Sequence, residues 1–468
     1  MNKPLLCKNT GNGLFVFHKK VKSNVFFLIV KAFYNLAGVK IMKDIIDEQV
    51  KNYMNEVEAE CGTKDERLYT IFNKTFLDTL QNALKVDENK NIFVLTGDIP
   101  AMWQRDSSAQ LRPYLLLAKT DDNIKDIITR VVKRQFFNMN LDPYANAFNM
   151  TANNQGHQTD KAKMGPWIWE RKYELDSLCY PVQLAYLLYK NTGEIAQFDA
   201  NFVSGIKKML ATIKTEQHHE NSNYTFERDC DVPTDTLKNK GKGTSVAYTG
   251  MSWSGFRPSD DACTYGYLIP SNMFAVVVLN YIQEIFSSIL DDSDIVAKAK
   301  TLQNEINEGI QRYGIVEHNG KKQYAYEVDG RGNYVLMDDS NVPSLMSAPY
   351  IGYVKPTDDI YQNTRRFILS PDNPYFYIGE YWSGQGSPHT PKGNIWPIGM
   401  ALVGLTQETK AEKQNLLYLM ANTTNGSNMI HESFNPNDPS DFTRPWFSWA
   451  NMMFCELLLS YLGHEVTL

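Results

Sequence analysis

Apolar residues recur at spacings of three and four in one segment after another from Met42 to the carboxyl end, and this repetition limits the fold most. Leu68, Ile71, Phe72, Phe76, Leu80 and Leu84 form one stripe, and Ile124, Ile127, Ile128, Val131 and Val132 a second. The same period runs through 175–189, 202–213, 273–289, 295–313, 395–405 and 446–462. Strand signals are few and short, as at 93–95 and 323–328. No change of composition and no short repeat of fixed period divides 42–468, so the expectation is one all-α domain and not a solenoid. About a dozen helices in one domain have few ways to bury themselves. Helical hairpins closed into a ring are one, with the loops at one end building a funnel.

Residues 1–41 read differently. An apolar stretch at 23–38 follows a basic flank at 18–22, but Lys31 interrupts it after the six residues 25–30. Spanning a bilayer takes about 20 apolar residues, so stable membrane insertion is not expected. The expectation is an extension outside the fold, upstream of a start at Met42, with a targeting segment as the alternative. Lys and Arg total 47 against 53 Asp and Glu, a net charge of −6. That balance argues against nucleic acid as a partner, since a concentrated basic stripe would be needed. Six cysteines without CxxC spacing argue against a disulfide scaffold and a cysteine zinc module. They lean toward a reducing, cytoplasmic interior, with secretion the alternative if 1–41 is a targeting segment. His218-His219-Glu220 and His431-Glu432 lack HExxH spacing, and no GxSxG elbow, Walker loop or dinucleotide fingerprint is present. No metal and no cofactor are therefore expected.

Chemistry is sought in the long loops between helices, rich in Gly, Pro, Asn and aromatics, because loops on a rigid scaffold carry function. The first, TGDIPAMWQRDS, sets Arg105 and Asp106 at a helix start. Asp106 or Ser107 would suit an N-cap, while Arg105 beside Asp106 offers a rigid donor fork and an acceptor for adjacent sugar hydroxyls. The stretch PWIWERKYELD repeats the recipe with Glu170 and Arg171, and Lys172 reads as solvated. In TGMSWSGFRPSDDA, Trp253 and Arg257 precede the adjacent pair Asp260 and Asp261, and the segment reads as entering a helix. One Asp could cap that helix while the other faces the cavity. Near Trp253 and Phe256 such a carboxyl is partly desolvated, which should raise its pKa and keep it protonated near neutrality. Asp338, Asp339, His389 and the segments 431–434 and 443–447 add polar groups for which a solvated or turn-forming role is an equal reading. Carboxylates on separate loops beside Trp, Phe and Tyr suit glycosidic cleavage, in which one carboxyl protonates the leaving oxygen and another handles water. Lectins share that composition.

Taken together, TGDIPAMWQRDSSAQ, DPYANAFN, WIWERKYELDSLCYP, YTGMSWSGFRPSDDACTYGYLIPSNMFAVV, MDDSNVPSL, GSPHTP and HESFNPNDPSDFTRPWFSWAN resemble glycoside hydrolase family 125. The resemblance runs from Met42 to the carboxyl end and leaves out 1–41. It implies an (α/α)6 barrel and a metal-independent, inverting exo-α-1,6-mannosidase. The substrate implied is an α-1,6-mannose-containing oligosaccharide or N-glycan fragment. The first Asp of RPSDD, Asp260, takes the place of the general acid, and the Glu of HESF, Glu432, that of the general base. Arg105, Asp106, Glu170, Arg171, Trp253, Arg257, Asp338, Asp339 and His389 fall in the other motifs and are expected to hold the terminal mannose. Two rivals stand beside this reading: a carbohydrate-binding protein that has lost catalysis, and a related hydrolase acting on glucosides.

Overall fold

The stripes become helices. Residues 45–407 and 409–468 are described by the computed structural model, and the extension expected at 1–41 lies outside them. The helices are Glu48–Cys61, Glu66–Asp78, Gln104–Ala109, Tyr114–Leu117, Asp122–Leu141, Leu175–Thr192, Ala200–Glu216, Ile269–Ser288, Ser293–Gly309, Asp359–Ile368, Pro397–Leu405, Lys410–Asn422 and Ser448–Leu462, together with a short turn at Lys238–Gly241. Asp359–Ile368 and Lys410–Asn422 are among those that lie where no stripe was read. They are short or polar, and the second buries only Lys413, Leu417, Met420 and Ala421. The stripe ending at Leu84 leaves the helix early, because Leu84–Val86 pairs as a strand with Ile92–Val94.

Burial sorts the long helices into two kinds. Leu175–Thr192, Ile269–Ser288, Pro397–Leu405 and Ser448–Leu462 are buried nearly all round. Helices apolar on every side belong in an interior. With Gln104–Ala109 they form the inner layer, in which Gln104–Ala109 packs against both Leu175–Thr192 and Ser448–Leu462. The others bury a single face. Ser293–Gly309, for example, buries Ile295, Ala299, Leu302, Ile306 and Gly309 and packs outside Ile269–Ser288. Inner and outer helices together make the (α/α)6 arrangement around one hydrophobic core that runs from Ile45 to Tyr461.

Most of the outer helices also begin differently from the inner ones. Asp47, Asp121, Asp199, Asp292 and Asp358 cap outer helices, each carboxylate accepting from backbone N–H groups of the first turn. The inner helices start at Trp103, Glu174, Leu268, Trp396 and Phe447, none of which caps with its side chain. Short strands tie the loops at this end together. Met102–Trp103, Ala147–Phe148 and Ile168–Glu170 form one antiparallel sheet, with Met102 opposite Phe148 and Ala147 opposite Glu170. Among the described residues no helix is long and apolar enough to cross a membrane.

Candidate active site

Chain segments leading into the inner helices carry the charged groups that meet at one end of the ring. Arg105 sits in the first turn of Gln104–Ala109, and Glu174 and Asp176 open Leu175–Thr192. Asp260 lies in the loop before Ile269–Ser288, His389 in the loop before Pro397–Leu405, and Glu432 and Arg444 before Ser448–Leu462.

Asp260 stands at the tip of a tight turn. Its N–H donates to the Arg257 carbonyl at 2.9 Å, the Arg257 N–H donates to the Asp261 carbonyl at 2.8 Å, and a bridge between Phe256 and Ala262 closes the base. At this tip the backbone is left-handed, with φ +65° at Asp260. The loop is braced from behind by Glu327, which takes Arg257 Nε at 2.6 Å on one oxygen and the Thr264 and Tyr265 N–H groups on the other. No helix begins at 260–261, so neither Asp is a cap as the sequence suggested. The pairing of Tyr267–Leu268 with Glu327–Val328 holds the chain extended until Ile269.

One guanidinium organises the wall around Asp260. Arg105, 2% exposed, reaches Glu174 Oε2 at 2.6 Å and Asp176 Oδ2 at 3.3 Å with Nη1, and Asp260 Oδ1 at 3.1 Å with Nη2. Its Nε lies 3.5 Å from Asp106 Oδ2, outside hydrogen-bond geometry, and both atoms are buried without a partner. Four carboxyls thus surround one cation, and they cannot all ionise freely. Burial pushes Asp106 and Asp176 up to about 6 against the pull of Arg105. Burial raises Glu174 far more, with the charges of Asp260 and Asp176 adding to it. Asp260 goes the other way. Burial would raise it, but Arg105 and a hydrogen bond with Glu174 hold it below the usual carboxylate range. The raised pKa expected for an Asp beside Trp253 and Phe256 is therefore not found on Asp260, because Arg105 reaches it, but on Glu174. Asn146 joins this wall to its neighbour, donating to Glu170 Oε2 at 2.9 Å and to Asp260 Oδ1 at 3.3 Å.

The opposite wall is simpler. Glu432 precedes the strand Ser433–Asn435, and its N–H donates to the Thr443 carbonyl across the hairpin with Asp438–Thr443. Arg444 Nη1 is 3.5 Å from Glu432 Oε1, while its Nε donates to Asp98 Oδ1 at 2.9 Å and its Nη2 to the Thr96 carbonyl at 2.8 Å. His389 links the walls. It pairs with Asp261 at 3.4 Å and lies within electrostatic reach of both Glu432 and Asp260. Burial disfavours its charge, yet Asp261 beside it lifts it to about 9, so it is cationic at neutrality. No hydrogen bond or ion pair joins Asp260 to Glu432 among the described residues.

Several residues singled out from sequence are used elsewhere. Arg171 is committed to Asp142 at 2.6 Å and to the rings of Tyr144 and Tyr224, not to the Asp260 cluster. Trp253, 1% exposed, is no open platform: it stacks on His219 with ring centroids 3.5 Å apart. Gly266 lies so close that a Cβ there would fall 1.9 Å from its indole. Asp338 is wholly buried and accepts the Leu345 and Met346 N–H groups and Gln385 Nε2, and burial raises it to about 7. Asp339 takes Asn341 on Oδ1, leaving Oδ2 buried without a partner. Lys172 is not solvated. Its side chain is 3% exposed, wedged between Asp235 and Glu170, and Arg228 bridges Glu170, Asp160 and Asp235 around it. Sequence reasoning gave no role to Glu174, Asp176, Asn146, Arg228 or Arg444. The available signal was weak: two carboxyls two residues apart at a helix start, and an Arg between Thr443 and Pro445.

Among the described residues no group of three or more His, Cys, Asp or Glu side chains has the geometry to hold a metal ion. A family profile described as metal-independent α-mannosidase (GH125) matches residues 65–459. A Streptococcus pneumoniae metal-independent α-mannosidase, solved in a non-productive substrate complex with α-1,6-mannobiose, superposes with a TM-score of 0.89 at 53% identity, covering 90% of this chain and 99% of its own. The Schizosaccharomyces pombe meiotically up-regulated gene 157 protein is 36% identical over 442 residues, 89% of this chain and 86% of that protein. A bacterial glucoamylase complexed with acarbose shares the fold alone, with a TM-score of 0.59 at 13% identity over 89% of this chain and 58% of its own.

Proposed function

The chain belongs to the metal-independent α-mannosidases of glycoside hydrolase family 125, and from that premise we propose that it releases terminal non-reducing mannose from α-1,6-linked mannosides by a single inverting displacement. Asp260 is the general acid, protonating the glycosidic oxygen as it leaves. Glu432 is the general base, removing a proton from the water that attacks the anomeric carbon on the opposite ring face. Between inverting carboxyls a gap of about 6.5–9.5 Å holds that water. The observation that carries the reading is that Asp260 and Glu432 come from loops far apart in sequence, share the electrostatic reach of His389, and yet do not bond to each other.

Arg105 Nε, Asp106 Oδ2 and Asp339 Oδ2 are buried polar atoms without a hydrogen-bond partner in the protein, as hydroxyl-binding groups require. With cationic His389 they orient the sugar, so that binding energy favours the distorted, oxocarbenium-like ring. The α-1,6 linkage rests on the mannobiose bound by the Streptococcus pneumoniae enzyme, whose study concerns processing of N-linked glycans. An α-1,6-mannose-containing oligosaccharide or N-glycan fragment is accordingly the substrate proposed here. Residues 42–468 act as one catalytic domain, a reading supported by the continuous core. Free thiols at Cys61, Cys179, Cys263 and Cys455 favour a reducing compartment, the cytoplasm.

The test is incubation with α-1,6-mannobiose and isomaltose side by side, with early product read by proton NMR. Cleavage of mannobiose alone with β-mannose appearing first is expected. Preference for isomaltose would make the enzyme a glucosidase, and α-mannose as first product would remove the water-activating role from Glu432.

A further inference from the structure

Resting on the assignment of Asp260 as acid, we propose that Glu174 and Asp260 form a dyad sharing one transferable proton, with Glu174 acting through Asp260 as its reservoir. Glu174 touches no substrate in this arrangement and is a positioning residue. The geometry has three parts. Arg105 bridges the two carboxyls through separate nitrogens, Nη1 to Glu174 Oε2 at 2.6 Å and Nη2 to Asp260 Oδ1 at 3.1 Å. Glu174 Oε2 is further fixed by Ser177 Oγ at 2.7 Å, while Oε1 is fully buried with no N–H or O–H directed at it. Held on one cation and each acting on the other's protonation, the two carboxyls cannot both ionise freely, which raises Glu174 and lowers Asp260.

One guanidinium therefore stabilises one negative charge that can reside on either member. In the free enzyme the proton belongs on Glu174, which is buried, and the charge on Asp260, whose side chain is 21% exposed to water. A sugar covering Asp260 removes that water and shifts the proton toward Asp260, leaving the charge on Glu174 against Arg105 and Ser177. In the chemical step the Asp260 O–H bond breaks as a bond forms to the glycosidic oxygen. The bond from that oxygen to the anomeric carbon breaks, and water bonds to the carbon, giving its proton to Glu432. Glu432 then releases that proton to solvent, and the dyad takes one up through Asp260. Atoms and charge balance without any further reactant.

Other charges face the dyad as well. Asp176 and Asp106 share its cation, Glu170 and Lys172 act on Asp260 from the neighbouring loop, and His389 acts from the loop opposite. The buried thiol of Cys263 is held neutral. Glu174 nonetheless differs from all of these in taking the 2.6 Å bond from Arg105 while its other oxygen is buried without a partner.

The test is the pH dependence of kcat and kcat/KM for Glu174→Gln, Glu174→Asp and wild type, on α-1,6-mannobiose and on α-mannosyl fluoride, whose leaving group needs no proton. Glutamine can donate to Asp260 but has no proton to pass on. On mannobiose its alkaline limb should fall by about one pH unit or more and kcat at neutrality by about tenfold or more, with KM little changed. Fluoride hydrolysis should stay within about threefold, and Glu174→Asp should recover part of the limb. An unmoved limb, or equal loss on both substrates, would overturn the dyad. Should the Gln variant not fold, Ser177→Ala supplies the reading: losing a donor to ionised Glu174 should move the limb upward, and a fixed limb counts against the proposal. Asp260→Asn separates the two levels. Loss on mannobiose alone upholds Asp260 as acid whatever Glu174 does, and equal effects on both substrates remove the assignment on which the dyad rests.

Discussion

The two walls of the site are built on opposite electrostatic plans. Around Asp260, one buried guanidinium serves Asp106, Glu174, Asp176 and Asp260 together, so negative charge is in excess and protons are retained. Around Glu432, Arg444 pairs with Glu432 and Asp98 among the described residues, and charges are matched more nearly one to one. If Asp260 is the acid and Glu432 the base, as proposed, the contrast teaches how a single fold can keep one carboxyl supplied with a proton and another free to accept one. Excess of acid groups over cations stores protons; parity does not.

The comparison breaks most visibly at the two carboxyls themselves. Glu432→Gln should lower cleavage of both α-1,6-mannobiose and α-mannosyl fluoride by about 10²–10⁴-fold, because both need an activated water. Asp260→Asn should do so for mannobiose alone, and steady-state rates on the two substrates check this. Next in size is stability. Arg105→Met strands four buried carboxyls and should cost about 3–5 kcal/mol in urea unfolding. Arg444→Met, whose partners are partly hydrated, should cost about 1–3 kcal/mol in the same assay. Equal losses would mean that the walls are not built differently.

A smaller effect concerns Asp176. Its folded pKa of about 6 lies above the ordinary 3.8, so the folded state binds the proton more tightly. The stability it lends is complete below pH 3.8 and is lost as pH rises through about 6. Wild type should therefore lose about 2–3 kcal/mol relative to Asp176→Asn between pH 4 and 7, measured by denaturation at each pH. His389 gives the smallest change. Burial works against its charge, but Asp261 raises it to about 9, so its contribution is present below pH 6.5 and fades as pH rises through 9. The melting temperature of wild type minus that of His389→Gln should be positive at pH 6 and vanish near pH 10. A flat difference would show that His389 and Asp261 are not coupled.

What the sequence made legible was what periodicity and local motif can carry. The stripe at 124–132 became Asp122–Leu141, and that at 175–189 became Leu175–Thr192. Polar neighbourhoods were not legible, because they arise between residues remote in the chain. Arg105 and Asp260 are 155 positions apart, and no spacing rule connects them. Lys172 read as solvated because a lysine in a charged loop usually is, yet Arg228 and Asp235 arrive from another loop to enclose it. Trp253 looked like a sugar platform because it stands in an aromatic loop. Only packing reveals that His219 and Gly266 already cover its faces. Glu174 was hidden in a quoted motif, since a helix-opening acid has an ordinary explanation until Arg105 is seen against it.

The left-handed backbone at Asp260 sets chemistry against robustness. Glycine is the residue that this turn would accept most readily, and asparagine after it. Substitution to glycine would thus relieve the chain while removing the proposed acid, and is expected to give a firmer protein without turnover. A lineage released from selection for sugar cleavage would drift toward glycine or asparagine at 260 and keep the rest of the ring intact, leaving a sturdy sugar binder as its fossil.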